Sequence, residues 1–347
     1  MSMSCLANDF AEKKEVLRLH CISHKTIHDA KSDAFLFEYA GTLFLIDGGM
    51  PEATFVYEYL LNLRREWLKD HPELIEDESC KLRLSWIVSH FHTDHVGAMI
   101  NTLIHSPYLA FDHFYYAPDT DIFEEFQDPT LDGDEKLRPL LREALAKNPH
   151  QQPEIHQLAF GKENSFTVTT ESGLAHEMSI RFMPPVMDHG VEWYMRYIEP
   201  LYAGPKNKNW RMTVGAVNNT SVWTLFTLGN RKLLFTGDTM KRDECLHNEG
   251  LEYMLEAYKD EIGTPDVMKF IHHGFARDAA LPAMMDFSPQ YLIVSKADSP
   301  IPEMVKEQYP NTTTKVVNIV DRTLVFTCGF DESGNELPLT AEWTCEG

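Results

Sequence analysis

At 347 residues the chain admits either two small domains or one large one, and a hydrophobic share of 43% beside 24% charged residues supplies a core and excludes a disordered chain. The formal charge of −22, from 31 Lys+Arg against 53 Asp+Glu, repels polyanions, so a nucleic-acid polymer is disfavoured as partner and a small molecule is favoured. Met1 to Lys14 lacks the basic start and apolar run of a secretory signal, and no apolar stretch is long enough to span a bilayer, which argues against secretion and a membrane. Cys5, Cys21, Cys80, Cys245, Cys328 and Cys345 form no Cys-x-x-Cys pair, so neither a zinc ribbon nor a redox motif is indicated, and reduced thiols in the cytoplasm fit best.

In chain order, Leu17 to Ile22 and Ala34 to Ile46 read as strands, the second broken at a hairpin turn near Gly41 and ending at Asp47-Gly48-Gly49. From Glu52 to Lys69, Phe55, Tyr57, Tyr59, Leu60, Leu63 and Trp67 recur near helical spacing. Leu82 to Ser89 returns to strand, Val96 to Leu103 and Glu135 to Lys147 suit helices, and the acidic stretch Asp119 to Asp134 between them reads as an insertion at the rim. His176 to Met183 is a further strand. Ser221 to Leu228 and Lys232 to Phe235 form a hairpin around Gly229-Asn230, and Leu251 to Lys259 is helical. Short buried strands are expected at Val267 to Ile271 and Tyr291 to Ser295, and final strands at Lys315 to Ile319 and Thr323 to Thr327. Helices interleaved with hairpins predict an α/β fold with a mixed sheet covered by helices on its outer faces, and no Gly, Pro or Ser-rich linker divides it.

Chemistry concentrates in Ser89-His90-Phe91-His92-Thr93-Asp94-His95-Val96-Gly97, four candidate ligands directly after a buried strand and before a helix. His90 and His92 are two apart, so in an extended segment they point to one side, roughly 6.6 Å apart along the chain, and both can grip one metal. Asp94 and His95, at the turn that opens the helix, can reach a second metal or the water between the two.

At these residues the sequence resembles the metallo-β-lactamase superfamily, whose first signature is His-x-His-x-Asp-His after a strand. Asp47-Gly48-Gly49 is similar to its early Asp-Gly turn, whose aspartate supports the histidine loop from behind, and Thr236-Gly237-Asp238 to its later Gly-Asp motif, whose aspartate bridges two metals. Asn218-Asn219-Thr220-Ser221, Gly237-Asp238 and His272-His273-Gly274 together resemble the branch containing the hydrolase domain of DNA-uptake (competence) channels and the phosphorylcholine esterases. The segment His28 to Ala34 is similar to that branch's Gly-Asp-Ala turn without its glycines. The resemblance spans roughly residues 15 to 330 and implies a four-layer αββα sandwich. A single domain over 1–347 is expected, with rim insertions at about 112–150 and 191–217. The histidine usually found between the first cluster and the bridging aspartate is matched by His189; otherwise Asp188 or a water takes its place, and a single occupied metal site is the alternative. The double histidine leaves open which ring binds, with His273 favoured for the second metal and His272 turned toward substrate.

The resemblance implies a hydrolase holding two divalent ions, zinc by preference with manganese or iron admitted, and attacking with a metal-bound hydroxide. His90, His92, Asp94, His95, His189, Asp238 and His273 are the expected ligands, Asp47 supports them, and Asp94 and His272 are the catalytic candidates. The nearest branch suggests a small phosphoester or phosphodiester, with Lys206, Lys208 and Arg211 as candidate phosphate contacts. A lactone, lactam or thioester hydrolase and a non-catalytic metal-binding sensor are the alternatives.

Overall fold

The computed structural model describes residues 5–22, 33–51, 54–117, 143, 146, 153–186, 218–240, 250–275, 280–320 and 322–344. The strands are β1 (Val16–Cys21), β2 (Ala34–Tyr39), β3 (Thr42–Asp47), β4 (Leu82–Val88), β5 (Leu109–Tyr116), β6 (Glu154–Gln157), β7 (Phe166–Thr169), β8 (Ser179–Met183), β9 (Trp223–Leu228), β10 (Arg231–Phe235), β11 (Val267–Lys269), β12 (Tyr291–Val294), β13 (Lys315–Asn318), β14 (Leu324–Phe330) and β15 (Glu336–Trp343). They form an eight-stranded sheet, ordered β15-β14-β1-β2-β3-β4-β5-β6, and a seven-stranded sheet, ordered β13-β12-β11-β10-β9-β8-β7. Each sheet is half antiparallel and half parallel: β3 to β6 run parallel in the first, and β10 to β13 in the second.

The two sheets pack face to face because successive side chains along a strand point to opposite faces. In β2, Phe35, Phe37 and Tyr39 enter the core between the sheets while Ala34 and Leu36 join the outer one. Phe37 stacks on Phe226 of the opposite sheet at a centroid distance of 3.5 Å, with Phe235 edge-on at 5.2 Å. Outside the first sheet lie α1 (Thr54–Trp67) and α2 (Thr93–Asn101), whose Val56, Leu60, Val96 and Met99 pack with Leu45 and Trp86. Outside the second lie α3 (Gly250–Ile262), α4 (Leu281–Met285) and α5 (Ile301–Gln308), where Leu251, Met254, Ile301 and Val305 pack with Leu234, Met268 and Leu292. Three apolar clusters therefore separate four layers, α/β/β/α, as the resemblance implies, with two mixed sheets where the strand pattern alone led to one. Because both faces of β2 are covered, all six of its residues are buried.

Six described elements escape the periodicity reading. In β5 the pair Asp112-His113 interrupts an apolar run, β6 and β7 are four residues each, and β15 carries Pro338, tolerated because the strand is at a sheet edge. α4 and α5 are short and carry proline in the first turn. The start of the segment assigned to the first rim insertion, Asp112–Tyr116, is the second half of β5. Of the expected helix Glu135 to Lys147 only Glu143 and Ala146 are described, both helical and exposed. β8 begins at Ser179 and not at His176, whose backbone N–H and ring are both engaged by Glu15 at 2.9 Å. β11 stops at Lys269, since His272 and His273 adopt positive φ that no strand continues through. Among the described residues no helix is long and apolar enough to cross a membrane.

Candidate metal centre

The candidate residues gather at one end of the sandwich, beyond the carboxyl ends of the parallel strands, where open α/β sheets place their ligands. Asp47 ends β3, Ser89 follows β4, Asp238 follows β10, His272 and His273 follow β11, and Ser295 follows β12. Asp33 precedes β2, but β2 is antiparallel to β3 and pairs Ala34 with Asp47, which brings Asp33 to the same end.

In the first half, Asp47 takes an αL backbone with φ 57° and is held by its carbonyl, which accepts from Trp86 Nε1 at 2.9 Å. Its carboxylate accepts from the Ser89 N–H and the Ser89 hydroxyl, each at 2.8 Å, and lies 2.8 Å from His95 Nδ1. The Ser89 hydroxyl thus gives its one proton to Asp47, so at 3.0 Å from His90 Nδ1 it must accept, and His90 keeps its Nε2 lone pair free of a proton. That Nε2 is 3.0 Å from His92 Nδ1 and 4.0 Å from Asp238 Oδ2.

In the second half, the turn after β10 is fixed by Ser221 Oγ, which accepts from the Asp238 N–H at 3.0 Å, and by Asn219 Oδ1, which accepts from the Met240 N–H at 2.9 Å. Gly237 is required here: φ is +55°, and a Cβ would stand 2.7 Å from Ser221 Oγ. The two oxygens of Asp238 then face different partners. Oδ1 faces Lys269 Nζ at 3.4 Å, whereas Oδ2 is ringed by imidazole Nε2 atoms, His273 at 3.0 Å, His95 at 3.3 Å, His272 at 3.9 Å and His90 at 4.0 Å. Lys269, 1% exposed, donates to the carbonyls of Gly237 and Phe270 at 2.7 and 3.2 Å and pairs with Asp33 Oδ2 at 2.8 Å. Asp33 Oδ1 lies 3.2 Å from His273 Nδ1, and Ser295 Oγ 3.0 Å from the same nitrogen. Asp33 therefore stands behind His273 as Asp47 stands behind His95, each carboxylate leaving Nε2 to point inward.

These residues fit a divalent cation. Four donors bound at about 2.05 Å in a tetrahedron are about 3.3 Å apart. The Asp238 Oδ2 contacts to His95 and His273 are of that length, as is the 3.2 Å between His273 Nε2 and Asp94 Oδ2. Ligand atoms of Asp33, His95, Asp238 and His273 all lie within 4.8 Å of one another, although both Asp33 oxygens are engaged from behind, so we read Asp33 as support for the donors. The Nε2 atoms of His95 and His273 are buried and reach Asp238 without the angles of a hydrogen bond. Burial disfavours charge on both rings, but Asp238 with Asp47 raises the His95 pKa well above the ordinary value, and Asp238 with Asp33 raises that of His273 to about 10. The acidic cage thus draws a positive charge onto each ring, a place a metal ion takes by displacing the proton. His90 goes the other way: burial, then His95 and His92, push it well below the ordinary value, so it is a neutral donor.

Of the residues expected from sequence, His90, His92, Asp94, His95, Asp238, His272, His273 and Asp47 are described and are all buried at this end. His189, Lys206, Lys208 and Arg211 lie outside the described residues. His273 is the ring turned into the cluster, while His272 packs on Phe275 at 4.7 Å and stands farther from Asp238. Sequence reasoning gave no role to Asp33, Lys269 or Ser89, although Asp33-Ala34 closes the segment likened to a Gly-Asp-Ala turn and Ser89 opens the histidine string; Lys269 is marked only as a cation inside the apolar run Val267-Met268-Lys269-Phe270-Ile271.

No protein-family model and no curated protein matches the sequence. Solved structures similar in fold include the metallo-beta-lactamase fold protein YhfI from Bacillus subtilis, 13% identical, covering 90% of this chain and 99% of that one with a TM-score of 0.44. The Zn(2+)-bound PqqB from Methylobacterium extorquens is 10% identical, with 88% and 99% covered and a TM-score of 0.42. A diphosphatase from the PhnP family is 12% identical, with 88% and 96% covered and a TM-score of 0.39. The α/β metallo-β-lactamase sandwich rests on the strand order and four layers given above.

Proposed function

We propose that the protein is a metal-dependent hydrolase of a small phosphoester or phosphodiester. The observation that carries the reading is the convergence on Asp238 Oδ2 of histidines from both halves of the chain, His95 from α2 and His273 from the loop after β11, with His90 at its border. His90, His92, Asp94, His95, Asp238 and His273 would hold up to two divalent cations, with His189 a further candidate ligand. Nitrogen and carboxylate donors suit zinc and admit manganese or iron. Bound there, such ions would polarise a phosphoryl or acyl oxygen and lower the pKa of water.

The chain's own groups divide the remaining work. Asp94 orients the attacking water, and His272, whose Nε2 stands 3.9 Å from Asp238 Oδ2, stabilises charge or supplies the proton to the leaving group. Asp47 and Asp33 fix the imidazole orientations of His95 and His273. A phosphoester is favoured by the motif set Asn218-Asn219-Thr220-Ser221, Gly237-Asp238 and His272-His273-Gly274, and Lys206, Lys208 and Arg211 are proposed phosphate contacts.

The test is turnover of a chromogenic phosphodiester, a lactone, a thioester and a labelled oligonucleotide by zinc- or manganese-loaded protein across salt concentrations. The diester should be cleaved fastest. Preference for the lactone or thioester would move the substrate class to acyl compounds, preference for the oligonucleotide with steep salt dependence would reveal a local basic groove, and no turnover of any would favour the sensor reading.

A further inference from the structure

Separate from the cluster around Asp238, the described residues contain a second group of metal-ligating side chains, His113, Glu154 and His156, on neighbouring parallel strands. β5 and β6 pair with His113 opposite Glu154 and Tyr115 opposite His156. Residues two apart share a face, so both imidazoles and the carboxylate project from one side of the sheet. The centre at Asp238 lies beyond the carboxyl ends of the strands, whereas His113 sits inside β5 and Glu154 opens β6.

The donor triangle has the dimensions of a bound ion. His113 Nδ1 is 3.2 Å from His156 Nε2 and 3.6 Å from Glu154 Oε2, and His156 Nε2 is 3.7 Å from Glu154 Oε1. Donors at about 2.05 Å in a tetrahedron stand about 3.3 Å apart, so a small carboxylate rotation brings all three to one ion and leaves a position for water. The His156 ring is set in its plane by Tyr115, stacked on it at 4.6 Å and 12°, and Tyr115 is in turn stacked on Phe182 at 4.7 Å. The His113 and His156 side chains are 39% and 29% exposed, so an ion can enter from solvent.

We propose that His113, Glu154 and His156 form an accessory site for one divalent transition-metal ion of the imidazole-binding class, zinc, nickel or copper(II), which clamps the edge strand β6 to β5. Two imidazoles with one carboxylate exclude magnesium and calcium, which take all-oxygen cages. The clamp has a structural use: β6 is four residues long, joins the sheet through β5 alone, and exposes Ile155 to 51%.

The test is a zinc titration of the full chain against a chromophoric chelator, comparing the unaltered protein with His113→Ala and His156→Ala. Each variant should bind one zinc equivalent fewer, match the unaltered protein in phosphodiester turnover and lose part of the zinc-dependent rise in melting temperature. The comparison is a difference between proteins, so it holds whether or not the centre at Asp238 takes up zinc. In the unaltered protein, zinc but not magnesium should protect His113 and His156 from diethylpyrocarbonate, read by peptide mass spectrometry, a measurement that needs no variant to fold. Equal zinc counts in all three proteins, or modification of both histidines undiminished by zinc, would overturn the proposal and leave the two rings as a hydrogen-bonded pair.

Discussion

Replacing Lys269 with methionine removes a buried ammonium and little volume. Its charge faces Asp33 at 2.8 Å and Asp238 at 3.4 Å, and all three side chains are about 2% exposed or less. Deleting one member of such a buried set leaves uncompensated charge and costs about 3–5 kcal/mol. In a two-state transition of this length, with an unfolding entropy of about 2.1 cal/mol/K per residue, that is a fall in melting temperature of about 4–7 °C. The loss should be largest in metal-free protein, because a divalent cation at Asp238 offsets the missing charge. Zinc should therefore raise the melting temperature of Lys269→Met by more than it raises that of the unaltered protein. Calorimetry of both proteins, chelated and zinc-loaded, measures the four values. Equal losses in the two states would show that the lysine and the metal do not share Asp238, and no loss in the chelated state would show that the ion pair contributes nothing net.

Further perturbations separate the other roles. Asp238→Asn should weaken metal retention and turnover together, while His273→Ala loses a metal and His272→Ala keeps its metals and loses turnover by roughly 10²–10⁴-fold, the range for a lost acid–base group; elemental analysis beside kinetics distinguishes them, and the reverse pattern would exchange the two histidines. Gly237→Ala forces a Cβ to 2.7 Å from Ser221 Oγ at a φ of +55° and should cost about 1–3 kcal/mol in denaturant melts while lowering metal content, since the turn carries Asp238. Glu177 reports on pH away from the site. Burial alone would raise its pKa, but hydrogen bonds from Thr170, Ser172 and Gly173 hold it at about 2. A depressed carboxylate stabilises the fold above its unfolded pKa of about 4.3, and that contribution fades as pH falls toward 2, so the stability gap between the unaltered protein and Glu177→Gln should close over that window. A gap that stays constant with pH would assign the contacts to the neutral form.

Legibility followed sequence locality. His90 to His95 stood out because four donors fall in one short loop between a strand and a helix, and His272-His273 because the pair is adjacent. Asp47, which orients His95, was legible in its Asp-Gly turn, but the partner of His273 was hidden: Asp33 meets His273 across 240 residues of chain, and only the antiparallel pairing of β2 with β3 brings it there. Lys269 was read as strand interior, which it is, and its charge is explicable only once Asp33 and Asp238 are seen around it. The same holds for the accessory site, where His113 broke the apolar rhythm of β5 so that neither that strand nor its pairing with β6 was foreseen. The layered fold was plain in the apolar strands covered on both faces, while short or proline-bearing elements such as β15 and α5 left no periodic signal.

The most direct test of the central claim is an anomalous difference map at the zinc edge, collected from crystals of the zinc-loaded protein. The account predicts anomalous density beside Asp238 Oδ2, among His90, His95 and His273. A map with no peak there, from crystals grown with saturating zinc, would contradict it.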